Sequence, residues 1–227
     1  MPLQVDVRRL GEVTLLKCKG RIIAGEESQT LQRHMTELMD SDRQFVLHLG
    51  EVTFVDSSGL GLLVRLAGVT RAKRGDLKLC SVGREVAHTL TITNLKTILE
   101  THDSEVEAVA AFYERARQKD TAARPGTKLL CVDHSEDVLA LLRELLRQAG
   151  YSPVTTSNLF DARILAKATK PALVVIGPSV TSDSAQSIKN AIGNTPVITL
   201  ESTFGNLEAS AAAEQVLAAV KEKLASN

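Results

Sequence analysis

The first half of the chain switches repeatedly between the hydrophobic periods of strands and of helices. Residues 13–19 alternate apolar and polar side chains, as a half-buried strand does, whereas residues 26–39 place apolar side chains at helical spacing. We therefore predict an α/β fold for this half. The further predicted elements are strands at 21–25, 45–49, 77–82 and 98–99, and helices at 58–73, 84–92 and from residue 104 onward.

The second half shows a regular alternation of strands and helices. Its first strand, at 128–132, is continuously apolar, which is typical of a strand that is buried on both faces of a parallel sheet. We therefore expect a second α/β domain, with a parallel sheet covered by helices. The further predicted elements are strands at 154–156, 172–176 and 196–200, and helices from residue 135 and at 158–169, 183–192 and 209–224.

Between the two halves, residues 115–126 consist mainly of polar residues, then small residues, and end in Pro-Gly. Such a stretch buries little apolar surface and is typical of a linker between domains. We predict a first domain at residues 1–118, a linker at 119–127 and a second domain at 128–227.

Charge and hydropathy exclude several classes of function. The chain carries 27 Lys and Arg against 27 Asp and Glu, so it lacks the basic excess that binds nucleic acid. No apolar run approaches the roughly 18 residues of a membrane span, and the N-terminus lacks the basic-then-apolar order of a signal peptide. We expect a cytoplasmic protein with no nucleic-acid partner and no membrane partner.

The cysteines and histidines do not form the patterns of a disulfide or a metal site. Cys18, Cys80 and Cys131 are odd in number, far apart and each within a strand-like run, which indicates buried reduced thiols. The five histidines lack metal-ligand spacing. We expect neither a metal nor a cofactor.

The most informative segment is Phe54–Val64, where an apolar strand leads into Asp-Ser-Ser-Gly-Leu-Gly and an apolar helix. The first backbone N–H groups of a helix lack intrahelical partners, so this position attracts anions. The simplest interpretation is that a serine caps the helix. Gly59 and Gly61 weaken a helix, which indicates that another backbone or a partner protein approaches closely.

The helix after the serines has two apolar faces. One face must pack on the sheet. The other is either a partner surface or is wedged against a neighbouring helix, and the sequence leaves both interpretations open. The first face comprises Leu60, Leu63, Val64 and Ala67, and the second comprises Leu62, Leu66 and Val69.

With Val55–Gly61 in place, the order of elements over residues 5–118 resembles the STAS domain of bacterial anti-sigma-factor antagonists. The resemblance implies a mixed β-sheet with helices and a non-enzymatic role. It implies that Ser57 is phosphorylated by a partner that is both an ATP-dependent Ser kinase and an anti-sigma factor, with Ser58 as a second candidate. The implied partner-binding residues are Asp56, Ser57, Ser58, Gly59, Leu60, Gly61 and Leu62.

The same resemblance implies how the switch works. The unphosphorylated antagonist binds the kinase and releases the sigma factor, and Asp56 orients the loop and contacts the kinase. A phosphoserine adds about −1.5 to −2 charges, which a helix N-terminus accepts within the domain. The charge and bulk of the phosphate repel a partner whose surface is shaped for a neutral hydroxyl. We therefore expect phosphorylation to block binding at the surface without a change of fold.

Two other functions compete with this interpretation. A hydrolase is disfavoured, because no Gly lies two residues before Ser57 or Ser58, as the G-x-S-x-G elbow requires. The second alternative is a scaffold or adaptor in a bacterial signalling assembly, in which Ser57 is not phosphorylated and only caps the helix.

Residues from about 127 to 227 resemble a truncated response-regulator receiver, which has a flavodoxin-like parallel α/β fold. Asp133 matches the first acid of that family's acidic cluster. The matched positions of the second, metal-ligating acid and of the phosphoacceptor carry His134 and Gly177, and the switch Ser/Thr position carries Glu201. The usual Lys-Pro pair before the last helix is absent.

These departures matter because phosphotransfer to Asp needs a carboxylate nucleophile and a Mg²⁺ held by oxygen ligands. Gly177 supplies no nucleophile, and Asp183, the only carboxylate in the following loop, lies six residues downstream. We expect a pseudo-receiver that does not accept phosphate. Its expected role is interaction with a second copy of itself, with the first domain or with a signalling partner.

Overall fold

A computed structural model describes residues 2–119, 126–201 and 209–225. The chain divides into two compact units, Met1–Phe112 and Tyr113–Asn227. The predicted linker at 119–127 falls largely outside the described residues, and the domain limits at 118 and 128 stay predictions.

The first unit is built on a mixed five-stranded sheet with the strand order β1-β2-β3-β4-β5. Strand β1 is antiparallel to β2, and the remaining neighbours are parallel. This architecture confirms the predicted mixed β-sheet with helices. The elements are β1 Gln4–Leu10, β2 Val13–Ile22, α1 Glu26–Leu38, β3 Gln44–Val55, α2 Ser57–Ala72, β4 Asp76–Cys80, α3 Arg84–Ile92, a 3₁₀ turn Leu95–Thr97, β5 Glu100–His102 and α4 Glu105–Lys119.

Alternation along each strand separates the two faces of this sheet. On β4, Leu77 and Leu79 belong to the buried core beneath α1, α2 and α3. Lys78 points to the opposite face, where its ammonium group binds Glu100 and lies 5.0 Å from the centre of the Phe112 ring of α4. The sheet therefore has an apolar helical layer on one face and α4 on the other.

The first two strands of this unit differ from the prediction. The structure contains β1, which the hydrophobic pattern did not predict, and β2 is one continuous strand rather than two. Gly20, which lies between the two predicted strands at 13–19 and 21–25, has φ 111° and lies where the register between β2 and β3 shifts. A glycine in this conformation allows a β-bulge, so the strand bends and continues.

The second unit has a four-stranded, fully parallel sheet with the order β7-β6-β8-β9. This is the order of the first four strands of the flavodoxin-like fold, and the described residues contain no fifth strand. A parallel α/β domain is thereby confirmed. Its elements are β6 Lys128–Val132, α5 Glu136–Gln148, β7 Ser152–Thr156, α6 Leu159–Thr169, β8 Leu173–Ile176, α7 Ser182–Ile192, β9 Val197–Thr199 and α8 Ala209–Ala225.

All three cysteines are free and buried, as predicted. Burial raises the pKa of the Cys18, Cys80 and Cys131 thiols to about 12. They remain protonated at neutral pH and pack as small apolar side chains. Among residues 2–119, 126–201 and 209–225, no group of His, Cys, Asp or Glu side chains has the geometry of a metal site. No helix in the same ranges is long and apolar enough to cross a membrane.

Candidate functional site

The junction between β3 and α2 is organised by the carboxylate of Asp56. One of its oxygens, Oδ1, accepts a hydrogen bond from the backbone N–H of Gly59 at 2.7 Å and so caps α2. The other, Oδ2, accepts from the backbone N–H of Ala24 at 3.1 Å, in the segment between β2 and α1. These backbone donors, led by Gly59, lower the pKa of Asp56. Asp56 thus ties the start of α2 to the end of a neighbouring strand.

Ser57 is the first residue of α2 and does not cap it, contrary to the simplest interpretation of the sequence. Both Ser57 and Ser58 are exposed. In the described part of the chain, neither hydroxyl has a hydrogen-bond partner. Because Asp56 already fills the capping role, the Ser57 hydroxyl is left facing solvent at the positive end of the helix.

Gly59 lies against the backbone of β2. A Cβ atom at this position would lie 2.1 Å from the carbonyl oxygen of Ile22, and the N–H of Asp56 donates to the same oxygen at 3.3 Å. The close approach predicted for the glycine pair is therefore made by the chain itself at Gly59. Gly61 is exposed, and a Cβ there would meet nothing within 4 Å.

Burial divides the seven residues that were predicted to bind a partner. Leu60 and Leu62 are 8% and 3% exposed and belong to the core, and Gly59 is also buried. Both apolar faces of α2 are largely covered within the unit, so the helix is wedged between its neighbours. The residues that offer surface are Asp56, which is half-buried, and the exposed Ser57, Ser58 and Gly61.

A groove beside this junction was not predicted from the sequence. It is lined by the end of β3, the first turn of α2 and one face of α3. Phe54 is 51% exposed at its margin. The sequence carries no signal for this groove, because Phe54 continues the alternation of Val52 and Thr53 as a strand residue of the core would. The lining residues are Phe54, Val55, Leu60, Glu85, Val86 and Thr89.

In the second unit, Asp133, which matches the first acid of the receiver's cluster, is enclosed by the surrounding backbone. Asp133 is fully buried, and its two carboxylate oxygens accept from the backbone N–H of Ser135 at 2.7 Å and of Ser179 at 2.9 Å. A Cβ on Gly177 would lie 2.2 Å from Oδ2 of Asp133. The Asp133 carboxylate therefore occupies the space that a side chain at position 177 would need.

The other polar residues of this region do not converge on Asp133. His134 is exposed, and its Nδ1 lies 3.2 Å from the carbonyl oxygen of Ser157. Asp137, Asp183 and Glu201 are all exposed. These residues do not fit a Mg²⁺ ion, because both oxygens of the one buried carboxylate are already engaged by backbone donors.

Stability measured against pH tests the role assigned to Asp56. Because the folded-state pKa of Asp56 is lowered, its stabilising contribution is present above the ordinary carboxyl pKa of about 4 and is lost as pH falls through the folded pKa. Asp56→Asn should unfold at lower urea than the unaltered chain at pH 7, and this gap should narrow below about pH 4. Asp6→Asn controls for the loss of one exposed negative charge. A gap that is constant with pH would contradict the assignment.

Comparison with known proteins gives one family model and several similar proteins. The STAS domain family model matches residues 4–108. The anti-sigma F factor antagonist of Paenibacillus polymyxa is 26% identical over 116 residues, which cover 48% of this chain and 94% of that protein. The solved structure of an anti-sigma factor antagonist from Mycobacterium paratuberculosis is 19% identical, with a TM-score of 0.41, over 48% of this chain and 92% of the other. The Bacillus cell fate determinant SpoIIAA in its phosphorylated form is 15% identical, with a TM-score of 0.40, over 48% and 98%.

Proposed function

We propose that this chain, whose residues 4–108 form a STAS domain, is an anti-sigma factor antagonist that phosphorylation of Ser57 switches off. Unmodified, it binds an anti-sigma factor that is also a Ser kinase, and so releases the sigma factor. Its relative from Paenibacillus polymyxa is named an anti-sigma F factor antagonist. The chain itself carries out no catalysis in this scheme.

The observation that carries the proposal is the state of the Ser57 hydroxyl. It is exposed, and the capping role that would otherwise occupy it is taken by the carboxylate of Asp56. A kinase must reach the hydroxyl and transfer a phosphoryl group to it without unfolding the helix. The first turn of α2 offers such a hydroxyl on a fixed backbone.

The charges around Ser57 support a switch at the surface. The Asp56 carboxylate already accepts two backbone N–H groups. A phosphoserine next to it adds about −1.5 to −2 charges, and the positive end of the α2 dipole partly offsets them. The close packing of Gly59 on Ile22 holds this turn in place. A bound partner would therefore meet added charge and bulk rather than a refolded domain.

Mass spectrometry of the intact protein tests the site of modification. When the chain is mixed with the Ser kinase encoded nearest to its gene and with ATP, it should gain one phosphoryl group. Ser57→Ala should remove this gain, whereas Ser58→Ala should retain it. A phosphoryl group that persists in Ser57→Ala and disappears in Ser58→Ala would move the site by one residue and overturn the assignment.

We propose that the second unit is an interaction module that does not accept phosphate. Two features favour this role. Gly177, at the position of the receiver's phosphoacceptor, carries no nucleophile. The carboxylate of Asp133 fills the space that a side chain at this position would need. The partner of such a module is a second copy of the chain, the first unit or another signalling protein.

Phosphate analogues test the second unit directly. Beryllofluoride with Mg²⁺, which mimics an acyl phosphate, should leave the NMR signals of residues 128–201 unchanged, and acetyl phosphate should add no mass. A receiver domain that is known to respond to both reagents serves as the positive control. Saturable signal shifts around Asp133 would show that the site opens and binds the analogue, against the proposal.

A further inference from the structure

The groove between β3 and α3 combines a sizeable apolar space with exposed apolar side chains. Its cavity volume is about 110 Å³, which compares with the roughly 150 Å³ of an apolar cavity that takes up benzene. Phe54 at its margin is 51% exposed. Ile92 is 68% exposed and lies one turn beyond Thr89 along α3. The space is large enough for one aliphatic side chain supplied from outside.

The groove is continuous with the surface that carries Ser57. Two of its lining residues, Val55 and Leu60, flank the segment Asp56–Gly59 in the chain. A protein that covers the Ser57 hydroxyl therefore reaches the groove without leaving this end of the unit. A flat contact over two exposed serines and Gly61 alone would offer little apolar surface for stable binding.

One charge lies among the lining residues, and it is negative. Glu85, in the first turn of α3, is exposed, and its carboxylate makes no ion pair or hydrogen bond with any residue that the structure describes. The adjacent Arg84 does not neutralise it through the helix, since neighbouring residues of a helix do not face each other. The groove therefore complements an aliphatic side chain that is accompanied by a Lys or Arg.

We infer that this groove is the docking site for the anti-sigma partner, which inserts an aliphatic side chain between Phe54 and Val86 and pairs a Lys or Arg with Glu85. The inference rests on the proposed function and adds a second part to the same interface. The groove contributes binding energy in both states of the chain, and a phosphate on Ser57 weakens binding. Loss of the anchor should then weaken binding of the phosphorylated and the unphosphorylated chain by similar factors.

Binding of the purified anti-sigma kinase to the full-length chain, without ATP, tests this anchor by calorimetry. Thr89→Trp, which fills the groove, and Glu85→Lys, which reverses its charge, should each raise Kd by about 10-fold, as loss of one interface anchor typically does. The effect of Glu85→Lys should shrink at high salt. Thr91→Trp on another face of α3 and Glu37→Lys on α1 are the matched controls and should bind normally. Thermal unfolding verifies that every variant is folded.

The outcomes separate the groove from the switch at Ser57. If Ser57→Asp weakens binding while both groove variants bind like the unaltered chain, the groove proposal is overturned and the proposed function stands. If the controls weaken binding as much as the groove variants, the groove proposal is also overturned. If the unaltered chain does not bind the kinase, both proposals fail.

Discussion

A phosphoryl group on Ser57 is expected to weaken binding of the proposed anti-sigma partner by more than 100-fold and to leave the fold of the first unit unchanged. A factor of this size corresponds to a difference of about 3–4 kcal/mol in binding free energy. The added dianion must lose much of its hydration when a partner covers it. It also lies beside the Asp56 carboxylate, which the pKa shift indicates is ionised at neutral pH.

The fold is expected to persist because the added charge meets solvent rather than the core. Ser57 is exposed, and the contacts that fix the first turn of α2 are made by Asp56 and Gly59. The phosphate therefore replaces no internal hydrogen bond. The positive end of the α2 dipole stabilises an anion at this position.

Calorimetric titration of the kinase, with and without phosphate on Ser57, measures the effect on Kd. Amide NMR spectra of residues 4–108 should change only near the end of β3 and the start of α2. Ser57→Asp imitates part of the charge and should weaken binding, whereas Ser57→Thr retains the hydroxyl and should bind the partner. Shifts spread over the whole sheet, or unchanged affinity of the phosphorylated chain, would contradict a surface switch.

Elements with a strong hydrophobic period could be predicted from the sequence. Strand β6 is apolar after Lys128 and occupies residues 128–132, as expected, and α3 occupies the predicted 84–92. Strand β1 was missed because it is an edge strand with few buried side chains. Leu10 is its one completely buried residue. Strand β5 was predicted two residues too early, since its three residues are all half-buried.

The position of the candidate site could be predicted, but its internal contacts could not. Asp and Ser are both favoured as helix caps, so local sequence cannot decide whether Asp56 or Ser57 fills that position. The decision depends on Ala24, which is 32 residues away in the chain and is brought close by the pairing of β2 with β3. The groove is equally non-local, because α3 supplies half of its lining.

The second unit shows the same limit. The absence of a nucleophile at Gly177 follows from the resemblance to receivers alone. That the Asp133 carboxylate fills the resulting space, and binds the N–H of Ser179 in the neighbouring loop, depends on the distance between two strands. A sequence pattern reports which side chain is missing but does not report what takes its place.

Replacing Gly59 with alanine is expected to destabilise the first unit by about 2–3 kcal/mol, although alanine favours helices by about 1 kcal/mol. The new Cβ would lie 2.1 Å from the Ile22 carbonyl oxygen and 2.9 Å from the carbonyl carbon. Both atoms are backbone atoms of β2, which cannot turn away as a flexible side chain can. The start of α2 must therefore move, and the hydrogen bond from Asp56 N–H to Ile22 is strained with it.

Gly61→Ala is the matched control, since it lies two residues further along the same helix and its Cβ would meet nothing within 4 Å. It should stabilise the domain by up to about 1 kcal/mol through helix propensity. The two substitutions should thus change the free energy of unfolding in opposite directions, and the two variants should differ by about 3 kcal/mol. The chain has no tryptophan and two folded units, so urea unfolding is best followed by the NMR signals of residues 4–108.

The two glycine variants also connect stability to the switch. If the backbone of β2 holds Ser57 in the position that the kinase needs, Gly59→Ala should be phosphorylated more slowly than Gly61→Ala under conditions in which both are folded. Equal stabilities of the two variants would contradict the close approach of Gly59 to the backbone of β2. Unequal stabilities with equal phosphorylation rates would mean that access to the hydroxyl, rather than its fixed position, makes Ser57 a substrate.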